Sequence, residues 1–208
     1  MADASVVTRA ALELGSATLG ESGAHRMHSR IKPVWKGARF AAPAYPVRCT
    51  PGDNLAIHVA VARAPAGSAL VADMGGTRDF GYWGEVLTTG AEARGIAALV
   101  IDACVRDCDA LEAHGFPVFA TGLALTGAGK TLAGTVAQPV TVGDVEVTAG
   151  DWVVGDTDGV VVIPNAELET VLAAGRARAD KEAGLFAALR AGATTLELLD
   201  LDPGPVQG

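Results

Sequence analysis

The sequence predicts an α/β fold in a single domain, on three observations. Short apolar runs at residues 69–72 and 97–101 are of the kind that buried parallel strands use, and each follows a helix-forming stretch, at 54–63 and 84–94. Past Pro117 the period shortens, and strand-like segments succeed one another across Gly-Asp and Asp-Gly turns. From Asn165 a long helical stretch runs to about Arg190.

Taken in order, residues 5–14 form a helix with Val6, Leu12 and Leu14 among its apolar positions, and 16–31 continue it with weaker periodicity. Residues 38–47 read as a strand interrupted by Pro43 and Pro46. Thr50-Pro51-Gly52-Asp53 is a turn and helix start, with Asp53 as the cap of the helix over 54–63. The strand at 69–72 runs into Asp73-Met74-Gly75-Gly76-Thr77; glycines at the carboxyl end of a strand let backbone amides approach a ligand. The helix over 84–94, the strand over 97–101 and a helical turn or two over 106–113 complete a βαβαβα rhythm. Strands are then expected at 118–120, 135–142, 145–147, 152–155 and 160–163. Asn165 caps the long helix, Thr194 opens a short one, and 202–208 is a frayed tail. The whole of 1–208 reads as one unit, with no linker and no internal repeat; its core spans about 38–164 and its C-terminal helices about 165–200.

Composition excludes several classes of function. A chain of 208 residues buries roughly 70% of its unfolded surface, so it needs no staples. The net charge of −8 and the absence of a basic stripe argue against nucleic-acid binding, which depends on Lys and Arg displacing counterions from phosphates. Cys49, Cys104 and Cys108 are too few and too oddly spaced for a disulfide framework or a thiolate zinc site, and read as reduced thiols packing as small hydrophobes. Charged residues interrupt the first thirty positions, and no apolar run reaches membrane-spanning length, so a cytoplasmic protein without membrane contact is expected.

Chemistry gathers between Gly84 and Asp107. Twenty residues separate Glu85 from Arg106, room for one helix and a returning strand, which brings both to one sheet edge. Arg106-Asp107 offers a planar two-point donor for a carboxylate beside a hard oxygen ligand, as needed to hold a keto acid on Mg²⁺. A helix cap with a solvated salt bridge would read the same way. Glu85 suits a helix first turn, and the amides of Val86 and Leu87 behind it would point outward as an anion site. Gly129-Lys130-Thr131 imitates a phosphate loop, but Ala124 occupies the place of the required first glycine, so residues 122–131 are a structural or site-flanking loop. Gly75-Gly76 lacks the third glycine of a dinucleotide fingerprint. His25, His28, His58 and His114 read as surface or packing residues. No lysine sits at an apolar strand centre, which disfavours an imine mechanism relative to a metal.

Five segments together carry a family resemblance: Pro51-Gly52-Asp53-Asn54-Leu55-Ala56-Ile57-His58, Trp83-Gly84-Glu85-Val86-Leu87, Val100-Ile101-Asp102-Ala103-Cys104-Val105-Arg106-Asp107, Pro117-Val118-Phe119-Ala120, and Gly150-Asp151-Trp152 on to Ile163-Pro164. In this order they resemble the family of 4-hydroxy-4-methyl-2-oxoglutarate / 4-carboxy-4-hydroxy-2-oxoadipate aldolases and the regulator of ribonuclease activity A, the RraA-like proteins. The resemblance covers residues from about 40 to 200. It implies a swivelling β/β/α domain, in a trimer or a hexamer of stacked trimers, with the C-terminal helices packed on a neighbouring subunit and the site between subunits. It also implies a metal-dependent aldolase with oxaloacetate decarboxylase activity. Asp107 would bind Mg²⁺ or Mn²⁺ directly, Arg106 would clamp the pyruvate part of the substrate, and Gly84, Val86 and Leu87 would present the amides that hold its carboxylate. Glu85, and Glu182 from the neighbouring subunit, would act through metal-bound water. The chain departs from the family pattern in having Glu85 where Asp is common and Ala103 where Gly is frequent. The non-catalytic regulator branch lacks an acid at the position of Glu85, so Glu85 favours the enzyme. A demethylmenaquinone methyltransferase, a label this family carries, is disfavoured by the lack of an adenosylmethionine-type glycine loop.

Overall fold

The computed structural model describes residues 3–206, so the last two positions of the expected tail lie outside it. In chain order the elements are α1 (Ala4–Gly20), β1 (His25–Arg26), β2 (Lys32–Pro33), β3 (Phe40–Cys49), α2 (Leu55–Arg63), β4 (Ala69–Asp73), α3 (Glu85–Ala93), β5 (Ala98–Ile101) and β6 (Cys104–Val105). There follow α4 (Cys108–His114), β7 (Val118–Ala120), β8 (Gly122–Leu123), β9 (Gly134–Val136), β10 (Val140–Val142), β11 (Val145–Val147), β12 (Trp152–Gly155), β13 (Val160–Ile163), α5 (Leu168–Arg190) and α6 (Thr195–Leu198).

A nine-stranded sheet organises the fold, in the order β1-β13-β12-β3-β4-β5-β7-β2, with β9 also paired to β3. Its centre, β3, β4, β5 and β7, is parallel, as the βαβ rhythm predicts. β3 joins two halves. Residues 40–43 pair antiparallel with β12 and residues 44–48 pair parallel with β4, so the strand exchanges partners between its two prolines and stays continuous through both.

Alternation along the strands feeds separate cores. Leu70, Leu99 and Ile101 pack with Ile57, Trp83 and Leu111 beneath α2, α3 and α4. Val71 and Val100, facing the other way, meet Phe40, Phe119, Val142, Val147 and Val153 inside the curled β half. A third cluster joins Trp152, Val154 and Ile163 to Val7, Ala11 and Leu19 of α1 and to Leu168, Val171 and Leu172 of α5. This is the β/β/α arrangement, with α5 as the C-terminal helical extension.

Four local expectations need correction. The first helix bends at Gly15 (φ 77°, ψ 165°) and restarts at Ser16, whose amide and hydroxyl donate to Asp156 at 2.7 and 2.6 Å; it ends at Gly20, and β1 and β2 replace the expected helical continuation. The strand expected over 135–142 is two strands, because Ala137 takes a positive φ of 58° and releases β9 to β3 and β10 to a hairpin. Asn165 does not cap α5 through its side chain; a 3-10 turn precedes the helix, and the Asn165 amide donates to Asp151. Asp53 stands one residue before the N-cap of α2, which is Asn54; its Oδ1 accepts from the Leu55 amide at 2.8 Å, while its other oxygen takes the amides of Thr131 and Leu132. No described helix is long and apolar enough to cross a membrane.

Candidate active site

At the carboxyl edge of β4 and β5 three connections converge: residues 74–84, 102–107 and 121–133. The first is anchored by two adjacent aromatics that are almost fully buried, Tyr82 and Trp83. The Tyr82 hydroxyl accepts from the Gly52 amide at 2.9 Å, its amide donates to the Cys104 carbonyl, and its carbonyl accepts from Asn54 Nδ2 at 2.7 Å. Trp83 stacks on Phe116 with centroids 5.8 Å apart, and its indole N–H donates to Thr88 Oγ1 of α3 at 2.7 Å. The turn that opens α3 is therefore pinned from both sides before it reaches Gly84.

Arg106 and Asp107 are set against this turn. The Arg106 amide donates to the Trp83 carbonyl at 2.9 Å, and Asp107 takes the left-handed conformation (φ 61°, ψ 38°) that L side chains seldom adopt. That conformation starts α4 and lets the carboxylate turn back, so that Asp107 Oδ2 accepts the Glu85 amide at 3.0 Å; Arg106 Nε lies 3.8 Å from the same oxygen. Strained backbone of this kind persists where the surroundings over-determine it, and functional sites collect it. Gly84 has no room for a side chain, since a Cβ there would run into the Asp107 carboxylate and lie 3.1 Å from Arg106 Cγ.

With its first amide given to Asp107, the start of α3 leaves the amides of Val86 and Leu87 without an acceptor among the described residues. They open on a cavity of about 160 Å³ lined also by Gly84, Arg106, Asp107, Tyr82 and Trp83. Its far wall is Asn54 and His58 from the start of α2, with Gly127, Ala128 and Lys130 from the 121–133 connection. That connection is strapped over the site by Asp53 and by the Gly81 amide, which donates to the Thr126 carbonyl at 2.8 Å. Two cations and one carboxylate on the lining, beside free helix-start amides, suit a small anion.

Of the residues singled out in the sequence, Gly84, Val86, Leu87, Arg106 and Asp107 line one cavity in one chain. Glu85 and Glu182 do not. The Glu85 carboxylate lies 3.7 Å from His114 Nε2, whose other ring nitrogen is 2.8 Å from Glu92. Glu182 lies on α5, where Arg178 Nε is 2.8 Å away, and Arg178 also pairs with Glu21. Among the described residues no three His, Cys, Asp or Glu side chains converge as a metal cage.

Sequence reasoning missed the far wall. In sequence His58 reads as a surface or packing residue and Asn54 as the first residue of the helix over 54–63, yet the two are four apart at the opening of one helix, a spacing that puts them on a common face. Burial, reinforced by the charge of Lys130, lowers the pKa of the His58 imidazole from its ordinary value.

Comparison with known proteins agrees with the fold. The RraA-like family model, described as Aldolase/RraA, matches residues 3–162. A protein of Halalkalibacterium halodurans that bears the provisional name 4-hydroxy-4-methyl-2-oxoglutarate aldolase is 36% identical over 162 residues, covering 77% of each chain. Among solved structures, an uncharacterized protein from Pseudomonas syringae pv. tomato superposes with a TM-score of 0.83 at 27% identity, covering 93% of this chain and 92% of that one. The RNA-processing inhibitor RraA from Thermus thermophilis superposes at 0.61 with 28% identity, over 68% of this chain and 85% of its own. With more than half of its length matched by the family model, from α1 through β13, this chain belongs to the Aldolase/RraA family.

Proposed function

We propose that this protein is a divalent-metal-dependent pyruvate aldolase. It cleaves 4-hydroxy-4-methyl-2-oxoglutarate or 4-carboxy-4-hydroxy-2-oxoadipate to pyruvate plus pyruvate or oxaloacetate, and it decarboxylates oxaloacetate. The observation that carries the proposal is the meeting of the Val86 and Leu87 amides with Arg106 and Asp107 around one small cavity.

The donor set fits a hard ion. Asp107 is the one carboxylate among the lining residues, and among the described residues no three His, Cys, Asp or Glu side chains converge, a sparse oxygen donor that suits Mg²⁺ or Mn²⁺. In this reading Asp107 would hold the metal, while Glu85 and Glu182 of a neighbouring subunit would act through water. When bound, the metal supplies Lewis acidity to the keto acid. The chain's own groups do the rest. The Val86 and Leu87 amides hold the substrate carboxylate. Arg106 donates to the keto oxygen and stabilises the negative charge that collects there as the carbon–carbon bond breaks and its electron pair enters the pyruvate half. The alcohol proton leaves to a water held among Asp107, Glu85 and Glu182. Loss of CO₂ from oxaloacetate generates the same enolate and uses the same groups. The assembly we infer is a trimer or hexamer in the cytoplasm.

Pyruvate release from 4-hydroxy-4-methyl-2-oxoglutarate and from oxaloacetate, with Mg²⁺, Mn²⁺ or a chelator, tests this reading. Wild type should turn over both substrates only with metal, and Asp107→Ala and Arg106→Ala should each lose about a hundredfold to a thousandfold. Absence of turnover on both substrates in a folded protein that binds metal would overturn it. The second reading, a protein-binding regulator of ribonuclease, draws on the likeness to the structure named as an RNA-processing inhibitor. It predicts capture of a ribonuclease with no catalysis at saturating metal.

A further inference from the structure

The Gly129-Lys130-Thr131 run imitates a phosphate loop in sequence but is not built as one. A phosphate loop works through backbone amides left free for the ligand. Here the Gly129 amide donates to the Gly52 carbonyl at 2.8 Å, and the amides of Thr131 and Leu132 donate to Asp53 Oδ2 at 2.6 and 3.1 Å. The Gly129 carbonyl in turn accepts from the Asn54 amide at 2.9 Å. Lys130 is thus held on both sides against the start of α2, and what it has to offer a ligand is its side chain. The residue is exposed and lines the cavity. Its ammonium donates to the Ala128 carbonyl at 3.3 Å and joins no ion pair among the described residues, which leaves donors free for an anion. The other cation on the lining is nearby in the chain path. A Cβ on Gly127 would lie 3.6 Å from Arg106 Nη1, and from Gly127 to Lys130 is three residues, at most about 11 Å of chain. A five-carbon diacid with a donor at each end is of that scale.

We propose that Lys130 is a specificity-determining residue that binds the second carboxylate of the substrate, the one carried on C4 of the 4-hydroxy-2-keto acid. The inference rests on the aldolase reading and deepens it, because it says which end of the substrate the 121–133 connection reads. With the first carboxylate on the Val86 and Leu87 amides and the keto oxygen on Arg106, the C4 carboxylate is the remaining charge of 4-hydroxy-4-methyl-2-oxoglutarate. Lys130 is the remaining cation on the lining. The second candidate substrate, 4-carboxy-4-hydroxy-2-oxoadipate, bears a carboxylate on the same carbon, and an ammonium on a flexible stem can follow that group in both. The C4 carboxylate keeps its charge while the C3–C4 bond breaks and departs with the second product. Lys130 therefore holds substrate and transition state alike, and its contribution falls on KM and not on kcat.

The experiment measures pyruvate release, with Mn²⁺, from 4-hydroxy-4-methyl-2-oxoglutarate and from 4-hydroxy-2-oxopentanoate, in which hydrogen replaces the C4 carboxylate. The proteins are wild type, Lys130→Met and Lys130→Arg. Lys130→Met should lower kcat/KM for the diacid by about tenfold or more beyond any loss on the monoacid, with the change in KM, as expected for a lost hydrogen bond to a charged group. Lys130→Arg, which keeps the charge, should recover part of the difference. The side chain is exposed and the loop is pinned through its backbone, so both variants should melt with wild type. Equal losses on the two substrates, no loss on either, or a loss confined to kcat would overturn the assignment. Wild type that turns over the diacid and the monoacid equally well would overturn it too, with the aldolase reading intact. Where wild type turns over the diacid alone, the KM of Lys130→Met for it decides, and an unchanged KM would overturn the assignment. Wild type inert toward both would remove the aldolase reading and the assignment together.

Discussion

At the scale of single residues the site depends on close approach. Gly84 is in extended backbone (φ −167°), so any residue could adopt its conformation; what excludes a side chain is the Asp107 carboxylate lying where a Cβ would go. Gly84→Ala should therefore leave the secondary structure seen by circular dichroism unchanged, yet displace Asp107 and Arg106 together. A shift of the order of 1 Å in such a group costs about a hundredfold in rate. Metal-dependent pyruvate release within a factor of three of wild type would count against the packing argument. The sequence pointed to Arg106 and Asp107 by their residue types and, through the family resemblance, to Gly84 as well. It could not point to Asn54 or His58, since an Asn at a helix start and a lone His are commonplace locally. Only the 121–133 connection, closing from far along the chain, turns them into a wall.

At the scale of elements, the parallel strands were legible as short, continuous apolar runs, and α2, α3 and α5 as helix-forming stretches between turn signals. The misread segments are those where a partner distant in sequence overrides local pattern. Asp156 restarts α1 past Gly15, and Ala137 gives β9 to β3. A further distant tie holds the site edge of β5. Asp102, just past that strand, accepts from Arg30 at 2.9 and 2.7 Å and from Arg78 at 3.1 Å, and Arg30 also reaches Asp144 in the β10–β11 turn. Burial alone would raise the pKa of Asp102, but the two arginines outweigh it and hold the carboxyl below the ordinary range. A carboxyl depressed in the folded state contributes stability that is fully present above its unfolded pKa of about 3.9 and is lost as pH falls through the folded value. Asp102→Asn should thus be less stable than wild type by about 2 kcal/mol at pH 7. In urea unfolding series the gap should close as pH drops below about 4. A gap independent of pH would show that the arginines respond to shape and not to charge.

At the scale of the whole molecule, one chain brings five of the seven singled-out residues to the cavity and leaves two acids outside it. Glu85 stands between Gly84 and Val86, both of which line the cavity. Glu182 is a different case. It sits past Gly175, the last buried residue of α5, on a stretch where Arg178 reaches Glu21 but no described residue is buried. A helix of this length whose second half covers no core is ordinarily covered by something else, and in the proposed oligomer that is a neighbouring subunit, whose cavity Glu182 would complete. This predicts complementation. Arg106→Ala and Glu182→Gln should each be nearly inactive alone. Equal amounts co-expressed or co-refolded should regain about one quarter of the wild-type rate, the share of sites in a closed ring that pair an intact Arg106 with a neighbour's intact Glu182. Mixed rings that sediment as oligomers yet regain nothing would place both residues in one subunit's site. A Glu182→Gln protein fully active by itself would remove Glu182 from the mechanism and leave Asp107, Glu85 and water to move the alcohol proton.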